Sequence, residues 1–162
     1  MRNATEIKFS HFLLVSVSNP TSLDLDEVSR RWNFHPLYLR EIRTLAKRTR
    51  LETSPEYACL VTLWPTYRRS THDVKPIELT FLIRPDALIV LQRGALPIFT
   101  DIVRRYAASH DLRAARRERT PERLLYEVLN QLYQSLFPII DHLIDDCDAI
   151  EQTPAGGLSG AA

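Results

Sequence analysis

From Thr120 to Glu151 the chain reads TPERLLYEVLNQLYQSLFPIIDHLIDDCDAIE. Apolar residues recur there at helical spacing: Leu124, Leu125, Val128, Leu129, Leu132 and Leu136, then Ile139, Ile140, Leu143, Ile144, Cys147 and Ile150. That period predicts a helix over the whole stretch. Thr120 suits the N-cap and Pro121 the first turn. At the helical rise it would span roughly 45 Å, more than a compact domain of this size uses. The run Thr153-Pro154-Ala155-Gly156-Gly157 then ends the pattern. Such a helix points to a part of a larger machine rather than a self-contained enzyme. Its second half, Ile139 to Ile150, leaves an apolar stripe that either packs back on the domain or stays open to partners.

The chain has 162 residues, enough for one domain that buries roughly 70% of its unfolded surface without a disulfide or metal staple. A net charge of +1 gives no global field toward nucleic acid or membrane. The two cysteines, Cys59 in an apolar run and Cys147 on the late helix, read as small core residues in a reducing compartment. The apolar run near the N-terminus is too short for a secretory signal, and no stretch approaches the roughly 20 apolar residues that span a bilayer. Direct membrane insertion is therefore not expected.

Phe12 to Val17 reads as a buried strand ended by Asn19-Pro20. Asp24 and Glu27 have capping-box spacing and predict a short helix to about Trp32. Pro36 suits the first position of another helix, with Leu37, Leu39, Ile42 and Leu45 following. Ala58 to Trp64 is a second strand, and the polar, basic segment Tyr67 to Val74 is expected as a loop. Glu78 to Ile83 and Ala87 to Leu91 are strands joined at Arg84-Pro85-Asp86, a tight-turn sequence that makes them antiparallel neighbours. Ile98 to Ser109 is helical, with Ile98, Ile102, Val103 and Tyr106 on one face. The order is strand, two helices, three strands, then helices, which predicts a mixed sheet packed by helices, an α/β fold. Residues 1–151 form one domain that includes the helix of about 120–151, and residues 152–162 are a flexible tail.

Four segments together resemble the cytosolic N-terminal domain of the CorA family of magnesium transporters. These are FLLVSVSNPTSLDLDEV; FHPLYLREI; Lys47-Arg48-Thr49-Arg50-Leu51-Glu52 followed by Tyr57; and RLLYEVLNQLYQSLFPIIDHLIDDCDAIE. None is specific alone; their order carries the resemblance, which covers about residues 10–151. It implies an α/β/α layered sandwich with a mixed sheet and a long C-terminal helix that starts a stalk, assembled with other subunits on the cytosolic side. In the family a Gly-Met-Asn signature at the pore and two membrane helices serve conduction. This sequence has neither.

The resemblance also implies carboxylates that bind Mg²⁺ at subunit interfaces, where a hard cation takes oxygen ligands. Glu41 stands at one such family position, but Arg40 brings a cation beside it, so any metal binding there is expected to be weak. Asn130 and Gln134 stand where the family carries acids. On the last helix Asp141, Asp145 and Asp148 share one face at i, i+4, i+7, and His142 and Asp146 lie one turn apart. A solvated acidic face is the simplest reading; weak, nonspecific binding of Mg²⁺ is the alternative. No other cofactor is implied.

The five histidines show no HExxH spacing, the cysteines no zinc spacing, and four glycines supply no phosphate-binding loop. An enzyme is not expected. Arg113, Arg116, Arg117 and Arg119, with Arg104 and Arg105 nearby, form a basic cluster without interleaved aromatics, so nucleic acid is not an expected partner. Trp32, Trp64 and Tyr57 read as core or interface aromatics.

The sequence thus predicts a cytoplasmic regulatory and assembly domain of a CorA-like divalent-cation transporter. It would be peripheral to the inner membrane when assembled, and unable to transport by itself. Its expected partners are further copies of itself or full-length CorA-like subunits. It would be either a truncated product or a standalone protein. The alternative is a standalone oligomerisation or scaffold module without metal sensing.

Overall fold

The computed structural model describes residues 3–34, 42–44, 48–108 and 120–152. Six strands form one sheet in the order β1-β2-β6-β5-β4-β3. They are β1 (Ala4–Lys8), β2 (Leu13–Ser18), β3 (Arg50–Thr53), β4 (Ala58–Arg68), β5 (Asp73–Arg84) and β6 (Ala87–Arg93). Only β2 and β6 run parallel; every other neighbouring pair is antiparallel. The helices are α1 (Ser22–Trp32), α2 (Pro97–Ala108), α3 (Pro121–Gln134) and α4 (Phe137–Gln152).

Both faces of the sheet are covered, as strand alternation requires. Leu14, Phe81, Leu88 and Val90 point toward α2 and α3 and bury Phe99, Ile102, Tyr106, Leu124, Val128 and Leu132. Val15, Val17, Leu82 and Ile89 point to the other side, against Leu25, Val28 and Trp32 of α1 together with Ile42. The central strands β2 and β6 and the inner half of β5 are mostly apolar because they are buried on both faces. This is the layered α/β/α arrangement with a mixed sheet. Cys59, Trp32, Trp64 and Tyr57 are core residues. Cys147, expected in the core, is exposed, because the last helix turns little of its surface to the sheet.

Local chemistry sets the element boundaries. Thr21 caps α1: its Oγ1 accepts from the Asp24 amide at 3.2 Å, and Asp24 Oδ2 accepts from the Thr21 amide at 2.9 Å. The helix therefore begins about a turn earlier than the Asp24–Glu27 spacing predicts, since Asp24 closes the box rather than opening it. Pro85 and Asp86 make the expected tight turn, with Arg84 paired to Ala87. The expected second helix from Pro36 and the basic segment 113–119 lie outside the described residues, apart from Ile42, which is buried.

The segment expected as a loop is strand at both ends. β4 continues to Arg68, β5 starts at Asp73, and only residues 69–72 turn. Pro65 pairs with Pro76 inside this hairpin. Proline is excluded from central strands because it lacks an N–H, but here its position is peripheral. β3 pairs β4 only over Ala58–Val61, and β6 pairs β5 only over Glu78–Arg84. The outer halves of β4 and β5 thus form a two-stranded ribbon beyond the sheet.

The long C-terminal helix is present, with one interruption. Ser135 and Leu136 form a turn between α3 and α4. The Ser135 amide donates to the Leu132 carbonyl at 3.0 Å and the Leu136 amide to the Tyr133 carbonyl at 3.0 Å, a local tightening of the coil. Pro138 explains the break: it has no N–H to donate to the Gln134 carbonyl, and it disfavours helical geometry in the residue before it. Among the described residues no helix is long and apolar enough to cross a membrane.

Candidate functional site

The two helices after Thr120 differ in what they touch. α3 buries Leu124, Val128 and Leu132 against the sheet. α4 buries none of its described residues. Phe137, Ile140, Leu143, Ile144 and Ile150 are exposed, so the apolar stripe of the second half is open rather than folded back. Tyr126, Asn130, Tyr133, Phe137, Ile140, Ile144 and Cys147 are all exposed. Their spacing alternates four and three, the seam pattern by which helices of separate chains pack.

The β4–β5 ribbon reaches this pair of helices from the side. The Trp64 ring meets Tyr133 edge-on, with centroids 5.2 Å apart. Farther out, the Tyr67 hydroxyl donates to Asp146 Oδ2. His72 Nδ1 lies 2.9 Å from the same oxygen and 3.2 Å from the Tyr67 hydroxyl. The hydrogen bond from Tyr67, and after it the His72 contact, hold the Asp146 carboxyl below its ordinary range. The same bond to Asp146 raises the Tyr67 phenol. A cleft of about 490 Å³ lies between ribbon tip and helix, bordered by Tyr67, His72, Leu143, Asp146, Cys147 and Ile150.

Of the carboxylates considered for metal, Glu41 lies outside the described residues, and so does its neighbour Arg40. Asp141, Asp145 and Asp148 are exposed along α4. Among the described residues no three His, Cys, Asp or Glu side chains converge as a metal cluster. Their oxygen donors are of the kind Mg²⁺ takes, and that ion often keeps most of its waters with one or two carboxylates. Asp146 is drawn to Tyr67 and His72 rather than to His142, whose ring instead approaches Tyr67 at 6.5 Å. Sequence reasoning missed Tyr67 and His72 because the contact joins residues more than seventy positions apart. No local pattern encodes it.

A family model described as CorA-like Mg2+ transporter protein matches residues 9–158. The chain belongs to this CorA-like family. The match includes the terminal helices as well as the sheet. The cobalt/magnesium transport protein CorA of Thermotoga maritima is 20% identical over 128 residues, which is 79% of this chain and 36% of that protein. Among solved structures, the complete CorA magnesium transporter of Methanocaldococcus jannaschii superposes with a TM-score of 0.69 at 16% identity, over 96% of this chain and 48% of that one. The soluble domain of the same CorA gives 0.68 at 15% identity, over 92% and 58%. The full-length CmaX protein gives 0.69 at 15% identity, over 93% and 45%. The fold is therefore that of these CorA structures, and this chain spans about a third to three-fifths of the length of the relatives it matches.

Proposed function

We propose that the chain serves as a regulatory and assembly domain of a CorA-like divalent-cation transporter. It works without catalysing a reaction, in the cytoplasm and peripheral to the inner membrane when assembled. The ion path itself is assigned to polypeptide outside these residues. The observation that carries this reading is the family match, which covers residues 9–158. The exposed seam from Tyr126 to Cys147 supports it, since apolar residues at four-three spacing suit a second helix of the same kind. The occupant is another copy of this chain or a full-length CorA-like subunit.

Asp141 and Asp148 border that seam, one position beyond Ile140 and Cys147. Copies meeting along it bring these carboxylates together, and the repulsion weakens contact unless a cation screens it. Weak Mg²⁺ binding at Asp141, Asp145 and Asp148, with Glu41 as a further carboxylate at a family position, belongs to this proposal. A scaffold without metal sensing is the second reading, favoured by Arg40 beside Glu41 and by Asn130 and Gln134, neutral amides on α3.

Light scattering of the chain, alone and mixed with a full-length CorA-like subunit, tests the assignment. Co-elution that is lost when Tyr133, Phe137 and Ile144 are changed together to Ser is the expected result. A monomer that ignores the full-length subunit overturns it. A mass that rises with magnesium separates sensing from scaffolding.

A further inference from the structure

Three neighbouring strands turn polar at one end of one face. Along β2 the face toward α2 reads Leu14, Ser16, Ser18; along β6 it reads Leu88, Val90, Gln92; on β1 Ile7 gives way to Thr5. Registers put these changes side by side, with Thr5 opposite Ser16 and Ser18 opposite Gln92. A covering helix alone would be better served by apolar residues there, because buried polar groups cost free energy unless they are bonded. Over the polar end α2 lays Thr100 and Arg104, and a cleft of about 250 Å³ remains between them and the strands.

The site is built rather than incidental. Gln92 is 3% exposed. Its Nε2 donates to the Gly94 carbonyl at 2.7 Å, which fixes the amide, and its Oε1 has no donor among the described residues. Asn19 pins the strand ends that frame the cleft. Its amide donates to the Gln92 carbonyl at 2.7 Å, and its Oδ1 accepts from the Gly94 amide at 2.8 Å. Arg104 is the one charged group on the cleft wall among the described residues. It contacts Asp101 at 2.8 Å, but both side chains are largely in water, where such pairs exchange readily. The cleft also lies at the carboxyl ends of β2 and β6, the only parallel pair. Open α/β sheets gather ligands at the carboxyl ends of their parallel strands.

We propose that this cleft binds a small anion that also carries an O–H or N–H donor. The anionic end takes Arg104 and the Ser18 hydroxyl, and the donor end satisfies Gln92 Oε1; the Thr100 hydroxyl on the same wall already donates to the Leu96 carbonyl at 3.3 Å. The volume is below the roughly 300–1,000 Å³ of pockets for drug-sized ligands, which restricts the ligand to a small metabolite or inorganic oxyanion.

Calorimetric titration of the intact chain with glycolate, inorganic phosphate and acetate tests this. Glycolate and phosphate combine charge with an O–H donor; acetate has the charge alone. Saturable binding of glycolate or phosphate, at least about tenfold tighter than acetate, is expected, since acetate leaves the buried Gln92 Oε1 unpaired and an unpaired buried acceptor costs about that much or more. Arg104→Gln, at an exposed position that folding does not need, should weaken binding by about tenfold or more. Gln92→Met, close in shape, should erase the preference over acetate; circular dichroism confirms that this variant folds. No saturable binding by glycolate and phosphate, equal affinity for acetate, or an unchanged Arg104→Gln would each overturn the assignment and leave a cleft filled by water.

Discussion

Arg93 stands directly across from Glu78 on the adjacent strands β5 and β6, its Nε 3.1 Å from a carboxylate whose side chain is only 3% exposed. The same guanidinium donates to the Ile42 carbonyl. It therefore ties the sheet to the short described segment at 42–44.

Removing that cation takes the opposite charge away from a carboxylate that is out of water. Arg93→Met should destabilise the domain by about 3–5 kcal/mol, the usual loss when one member of a buried pair is deleted. Adding Glu78→Gln to that variant should recover part of the loss. Urea unfolding of the single and double variants measures both.

The two halves of the terminal helix should respond oppositely to truncation. Leu132 is 0% exposed, and Leu132→Ala should cost about 2–5 kcal/mol through lost transfer energy and a residual cavity. Ile144 is 54% exposed, and Ile144→Ala should stay within about 0.5 kcal/mol. Thermal unfolding of the dilute chain separates these outcomes.

Docking of α4 on the ribbon should have a pH window. Asp146 is held below its ordinary value of 3.8, first by the Tyr67 hydrogen bond and then by His72. Its contribution is therefore complete above that value and is lost as pH falls through the lowered folded value. Tyr67 is raised above its ordinary 10.0 by its bond to Asp146. Its contribution is complete below that value and disappears as pH climbs through the raised folded one. Amide chemical shifts of Tyr67 and Asp146 should move together below the first limit and again above the second. Tyr67→Phe should shift the Asp146 amide even at neutral pH.

Gly94 should not tolerate a side chain. It sits at φ +103°, and a Cβ there would lie 2.6 Å from the Ile77 Cδ1. Gly94→Ala therefore meets left-handed strain and requires the Ile77 side chain to move aside, and should destabilise by more than about 1 kcal/mol. A denaturation midpoint equal to that of the parent would contradict this.

The interior of the sheet was readable because its strands are mostly apolar runs: Leu13–Val17 and Leu79–Ile83, each with one hydroxyl residue, and Leu88–Leu91 leave little choice of structure. The edges were not. β1 is Ala-Thr-Glu-Ile-Lys and β3 is Arg-Leu-Glu-Thr, and neither has a run long enough to announce a strand. Both exist because β2 and β4 offer them an open row of backbone groups, information that lies elsewhere in the chain. Polar, short edges are also how sheets avoid unwanted pairing. β1 is secured further by Arg31 of α1, which grips the Glu6 carboxylate with both terminal nitrogens. The ribbon was misread for a related reason: its charges and prolines look like loop until one sees that it leaves the sheet. The cleft under α2 has no motif at all, since its polar residues come from four separated elements. Only the strand registers bring them together.

Pro138 makes the terminal helix a jointed arm. With no bond closing from position 138 onto the Gln134 carbonyl, the two-residue turn at Ser135 and Leu136 is where bending of the segment beyond it would cost least. A push on its far end would then bend that elbow before it strained the sheet. The Tyr67–Asp146 contact is then a brace that sets the resting angle of the arm, and its release would free the tip without unfolding anything.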